Sequence, residues 1–205
     1  MPQDLSLIKI SELVCTRISH DLVGNVGAVS NAVEIMEDDP ESVSEVKPIL
    51  DYSSKVLSSR LKFFRVAFGL NNAAVRNIDE LKTIADNYIQ TVGSRNFPIK
   101  LDIKVNTPEI YKIVLLGIMG LVDSFIKGGT LEVIEEDSGV VVKASSQYKL
   151  SEINLKAVEN FMQGKLSEDN PALLAPLVYL QHVLKELEIG MSFSFSEFEA
   201  TLQIG

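Results

Sequence analysis

His20 is one of two histidines in a chain of 205 residues, and it lies in the stretch Cys15-Thr-Arg-Ile-Ser-His20-Asp21-Leu-Val-Gly-Asn-Val-Gly27. Around it Val14, Ile18, Leu22, Val26, Val29, Val33 and Met36 recur by threes and fours, the spacing of a single apolar stripe on a helix. At about 100° per residue, His20 projects nearly opposite the centre of that stripe, so it is expected to face solvent on a rigid element. An exposed imidazole titrates near about 6.5 and is largely neutral at neutral pH, which leaves a ring-nitrogen lone pair for a phosphoryl donor. Phosphoryl transfer asks little of its acceptor beyond access, in-line geometry and nearby charge neutralisation. Arg17, three residues earlier, is expected to share this face and meet phosphate oxygens. Asp21 is placed to orient the imidazole or to accept a proton, with a solvated surface carboxylate as the alternative.

Gly24 and Gly27 follow on the same helix, and each is about 1 kcal/mol less favourable there than alanine. Gly24 leaves room beside the imidazole for a bulky donor; close helix–helix approach is the other explanation. Rival chemistries lack their residues. Two histidines and one cysteine give zinc no ligand set, and neither a Gly-x-Ser-x-Gly elbow nor a phosphate-binding loop occurs. His182 reads as a helix-surface residue, Cys15 as a small apolar packing residue, and Phe63, Phe64 and Phe68 as core.

The elements that must position His20 follow from periodicity. Helix one is expected over residues 5–38, and Asp39-Pro40 caps the start of the next. Helix two carries Val43, Val46, Leu50, Ser53, Leu57, Leu61, Phe64 and Phe68, is perturbed early by Pro48, and stops at Gly69. Two long helices with so short a turn make an antiparallel hairpin, which cannot cover both its apolar stripes alone. Pairing with a second copy into a four-helix bundle is the expected solution; packing of the downstream domain on the stripe is the competing one. Residues 71–78 form the expected boundary between a hairpin domain, 1–72, and a second domain, 73–205.

The second domain reads as an α/β sandwich with a mostly antiparallel sheet and helices on one face. Its expected helices cover residues 78–92, 107–127, 155–163 and 170–187, the last closed by Gly190; its strands cover 99–105, 130–134, 140–145, 191–195 and 200–204. The fold class is α+β. The apolar fraction of 46% indicates a globular chain, and a net charge of −9 argues against nucleic acid or an anionic membrane as the main ligand. One cysteine excludes an internal disulfide, no segment has transmembrane length, and residues 1–4 lack the character of a signal peptide. The expectation is a cytoplasmic protein without membrane contact.

The segment from Arg17 to Val29 resembles the phosphoacceptor region of the ChpT-type bacterial histidine phosphotransferases. It is more distantly similar to the histidine-acidic motif of histidine-kinase dimerisation helices. Ser59-Arg60-Leu-Lys-Phe-Phe-Arg65-Val-Ala-Phe-Gly69 at the end of helix two is similar to this family as well, as is the region from Leu115-Leu116-Gly117 to Gly128-Gly129-Thr130-Leu131. Asn25 stands where such segments often place proline, and Val23 where single-domain phosphotransfer bundles place lysine. The resemblance implies a homodimeric hairpin bundle followed by a degenerate, Bergerat-type, histidine-kinase-like ATPase domain. It implies phosphorelay through His20 between receiver-domain aspartates, with Asp21 and Arg17 in support and Gly24 and Asn25 facing the partner. The implied partners are the receiver of a hybrid histidine kinase and response regulators, with Mg²⁺ supplied by the receiver and no cofactor held by this chain.

ATP use is not expected. A kinase of this type needs a magnesium-binding asparagine and an Asp-x-Gly-x-Gly loop, but no asparagine occurs between Asn106 and Asn154. Leu121 and Val122 place apolar bulk where metal and phosphates would sit, and Glu136-Asp137-Ser138-Gly139 lacks the second glycine. Two further readings stay open: a non-catalytic dimeric adaptor for receiver domains, and a divergent ATP-dependent histidine kinase.

Overall fold

The computed structural model describes residues 5–70, 75–166 and 170–205; residues 71–74, at the expected domain boundary, and 1–4 lie outside it. Helix α1 spans Leu7–Asp38. It starts at Ser6, whose hydroxyl accepts from the Lys9 amide at 3.2 Å and satisfies a donor that the first turn leaves free. Asp39 accepts from the Glu41 amide at 3.1 Å, and Pro40 opens a 3₁₀ turn, Pro40–Ser42, that leads into α2, Val43–Ala67. The helix runs through Pro48, whose ring nitrogen leaves the Ser44 carbonyl without its ladder bond.

The second part continues with α3 (Ile78–Val92), β1 (Ile99–Lys104), α4 (Tyr111–Val122), β2 (Gly129–Glu136) and β3 (Gly139–Ser145). It closes with α5 (Glu152–Met162), α6 (Ala175–Glu186), β4 (Met191–Phe195) and β5 (Glu199–Ile204). The five strands form one sheet in the order β1-β2-β3-β5-β4. Only β1 and β2 are parallel, and α4 supplies the crossover that a parallel pair requires. In β2, β3 and β5 the buried residues alternate, as in Leu131 and Val133, or Val140, Val142 and Ala144. That alternation turns one face of the sheet onto the helices.

Two ends differ from the periodicity. Helix α4 stops at Val122 instead of near residue 127, because the Ser124 amide and hydroxyl both donate to the Leu121 carbonyl, at 3.0 and 2.7 Å, and tighten the last turn. Gly128 and Gly129, with φ of 65° and 152°, then steer the chain into β2. After α6 the left-handed residue is Glu188, φ 58°, two positions before the expected Gly190; the Ile189 amide reaches back to the Leu184 carbonyl at 3.0 Å.

The apolar stripe of α1 has two different fates. Its first half, with Ile10, Leu13, Val14, Ile18 and Leu22, packs into the common core, where α1 meets α6 and the 3₁₀ turn Pro171–Leu174. The competing arrangement, with the downstream domain on the stripe, therefore holds for this half. Beyond it, Ala32 of α1 is buried with Val46, Ser53 and Val56 of α2, while Val26 and Val33 stay exposed. Helix α2 joins the rest through α3 and α4, with Phe63 stacked on Tyr88 at 3.9 Å between ring centroids. Phe63 and Phe64 are core as expected, and Phe68 lies at its edge. Cys15, expected to pack, is exposed instead, beside Leu7, Ile8, Ser11 and Glu12, because the neighbours of α1 cover only its other side.

Candidate functional site

His20 stands where a solvent-facing position on α1 must stand, with 81% of its side chain exposed. Its Nδ1 lies 3.4 Å from Oδ1 of Asp21. Asp21 is not a free surface carboxylate: its side chain is largely buried, and its Oδ2 accepts from Nε of Arg17 at 2.9 Å. The contact with His20 is the one expected of an orienting Asp21, and the Arg17–Asp21 bond has the i,i+4 spacing of a helix-face pair.

Arg17 departs from expectation. Its side chain, 8% exposed, turns under the helix instead of sharing the open face of His20, and its Nη1 donates to Oδ2 of Asp123 at 2.6 Å. The guanidinium is thus committed to two carboxylates and does not project toward an incoming phosphate. Burial by itself would lower the Arg17 pKa, but its neighbours, Asp123 foremost, outweigh it, and the net shift is upward. Tyr88 is fully buried beside this cluster, and burial followed by the charge of Asp123 pushes its phenol upward.

Arg60 ties the site to α3. Its Nη1 donates to the Asp21 carbonyl, while Nε and Nη2 donate to the Thr91 hydroxyl and carbonyl, each at 3.1 Å. Asp123 is held in turn through its carbonyl, which accepts from Nδ2 of Asn154 at 2.6 Å at the start of α5. Arg17, Asp123 and Arg60 thus all bear on Asp21 beneath His20, and of these residues only Asp21 and Arg17 were candidates from the sequence. Asp123 did carry a signal, as the only carboxylate between Glu109 and Glu132. Arg60 lay within the helix-two ending already noted for its resemblance.

The surface next to the imidazole is bare. A Cβ added at Gly24 or at Gly27 would meet nothing within 4 Å, so neither glycine serves close helix packing within the chain. Asn25 is half-buried on the next position of the helix. Elsewhere, Leu121 and Val122 lie in the core, Asp137 and Ser138 form the β2–β3 turn, and His182 sits on α6 at 3.9 Å from Glu186. Among the described residues no three His, Cys, Asp or Glu side chains converge as a metal site, and no helix is long and apolar enough to cross a membrane.

A solved bacterial phosphotransferase superposes over 100% of both chains with a TM-score of 0.78, at 21% sequence identity. This chain has the fold of a bacterial phosphotransferase. In sequence it is 33% identical over 95 residues to the protein phosphotransferase ChpT of Brucella abortus (strain 2308), a stretch that spans 44% of this chain and 44% of that relative. The match to that curated relative thus spans less than half of its length. A histidine kinase domain from Erythrobacter litoralis aligns more distantly, with a TM-score of 0.43 at 11% identity over 96% of this chain. No protein-family model matches the chain.

Proposed function

We propose that this chain is a ChpT-type histidine phosphotransferase that accepts a phosphoryl group on His20 from the aspartyl phosphate of one receiver domain and passes it to the aspartate of another. The observation that carries the reading is an open imidazole whose Nδ1 faces a buried, arginine-anchored carboxylate. A ring with its proton on Nδ1 presents Nε2 as the nucleophile, and the positive charge that the ring gains on phosphorylation meets the Asp21 carboxylate. Bare backbone at Gly24 and Gly27 gives the receiver room to approach, with Asn25 at the edge of that approach. In this reading the Mg²⁺ that neutralises the phosphoryl oxygens belongs to the receiver, and this chain supplies the nucleophile. The relay would run in the cytoplasm, from a hybrid kinase's receiver to response regulators.

The working unit is a homodimer. By helical periodicity Val26 and Val33 share one face of α1, and Val43 and Leu61 share one face of α2, and Val26 and Leu61 are 53% and 52% exposed. A second copy would cover them as a four-helix bundle.

The test is transfer of label from a phosphorylated receiver domain in the absence of ATP, with wild type and His20→Ala compared. Acid-labile label on the wild type alone is expected, with the same thermal midpoint for both, since the imidazole packs against little. Binding of several receivers without any label on the wild type would leave the adaptor reading in its place.

A further inference from the structure

Asp123 occupies an unusual place. It ends α4, a helix whose other side chains are almost all core, and its Oδ2 reaches Arg17 on α1 across 106 positions of sequence. Buried ion pairs roughly break even against apolar replacements, so stability alone does not account for it. What the pair fixes is geometry. Nε of Arg17 is directed at Asp21 and Nη1 at Asp123, so the planar guanidinium is held from both sides. With its Oδ2 taken by Arg17, Asp21 has Oδ1 left for Nδ1 of His20. Arg60 holds the backbone of the same residue, through the Asp21 carbonyl.

We propose that Asp123 is a positioning residue for His20: through Arg17 it fixes the Asp21 carboxylate, and so holds the imidazole with its proton on Nδ1 and the Nε2 lone pair outward. This inference rests on the reading of His20 as the phosphoacceptor. In the transfer step the Nε2 lone pair forms the N–P bond while the P–O bond to the donor aspartate breaks and its electron pair leaves on that carboxylate. The ring becomes a cation, its proton stays on Nδ1, and Asp21 faces it. The Asp21 carboxylate, whose Oδ1 lies 3.4 Å from Nδ1, is opposite in sign to that cation. The second half of the chain thereby acts on a histidine that belongs to the first.

Nitrogen-15 NMR of the histidine-labelled full chain, at a pH well above the imidazole range and with no receiver present, reads the tautomer directly. Wild type is expected to carry the proton on Nδ1. Asp123→Asn is expected to shift the ring toward the Nε2–H form and to slow single-turnover transfer from a phosphorylated receiver by about tenfold or more. Receiver affinity should be unchanged, and Asp123→Glu should recover part of both losses. An Nε2–H ring in the wild type would overturn the proposal, as would a folded Asp123→Asn protein with the wild-type tautomer and rate. Should Asp123→Asn not fold, Arg17→Lys tests the same link: it keeps the charge and loses the fork, so an unaltered tautomer there would overturn it. A tautomer that follows Asp123 in a protein that never takes label on His20 would support the positioning role and overturn the phosphoacceptor reading.

Discussion

A solvent-facing imidazole is common; what distinguishes His20 is the set of groups beneath it. The sequence made its exposure legible, because one stripe on one helix defines its own opposite face. It misplaced Arg17, because stripe geometry treats everything off the stripe as open, and the group that draws the guanidinium inward lies 106 positions away. Gly24 illustrates the same limit: only the space around its Cα shows that no other part of the chain packs closely against it. Since an added methyl group meets nothing, Gly24→Ala is expected to stabilise the fold by about 1 kcal/mol, read as an increase in urea midpoint. Gly24→Leu should fold equally well but weaken receiver binding and slow transfer. Wild-type binding by that variant would move the docking surface elsewhere on the chain.

Elements were more legible than their ends. The hairpin, the β2–β3 turn and α3 all fall where apolar spacing and turn residues put them, since these signals are local. Ends are set by individual hydrogen bonds, such as the Ser124 hydroxyl on the Leu121 carbonyl, which periodicity does not contain. The loop before α4 is another case. The Glu135 carboxylate accepts from the amides of Asn106 and Thr107, at 2.5 and 3.1 Å, and from the Thr107 hydroxyl. These bonds, the Asn106 amide foremost, hold its pKa below the usual carboxylate range. A depressed carboxyl adds stability that is full above its unfolded-state pKa and fades as pH falls through the folded one. Glu135→Gln is therefore expected to lower the urea midpoint slightly at neutral pH, with the difference closing in acid. A difference that persists unchanged into strong acid would contradict this.

At the scale of the whole molecule, one hairpin serves two purposes along its length. Its first half is built into the core with α6 and α4, while Val26, Val33 and Val43 toward the turn, and Leu61 next to the Arg60–Asp21 contact, stay open to solvent. Composition and periodicity could say that the stripe needed a cover, but not that the chain's own core reaches only part of it. Leu61→Glu, alone or with Val26→Glu, is expected to convert a dimer to a monomer in sedimentation equilibrium without loss of helix content. A monomeric wild type would remove the bundle from the proposed function.

Arg60 has a consequence in time as well as in space. By holding the Asp21 carbonyl to Thr91, it makes the turn of α1 at His20 open only when the contact with α3 opens too. Among the described residues, no apolar side chain of α1 beyond Leu22 packs against the common core. Amide hydrogen exchange of the monomeric Leu61→Glu chain should therefore run as a gradient along one continuous helix, slow from Leu13 to Leu22 and faster toward Asp38. Arg60→Ala should move the slow boundary back toward the N-terminus. The histidine would then sit at the frontier between a part of the helix that breathes with the whole fold and a part that breathes alone.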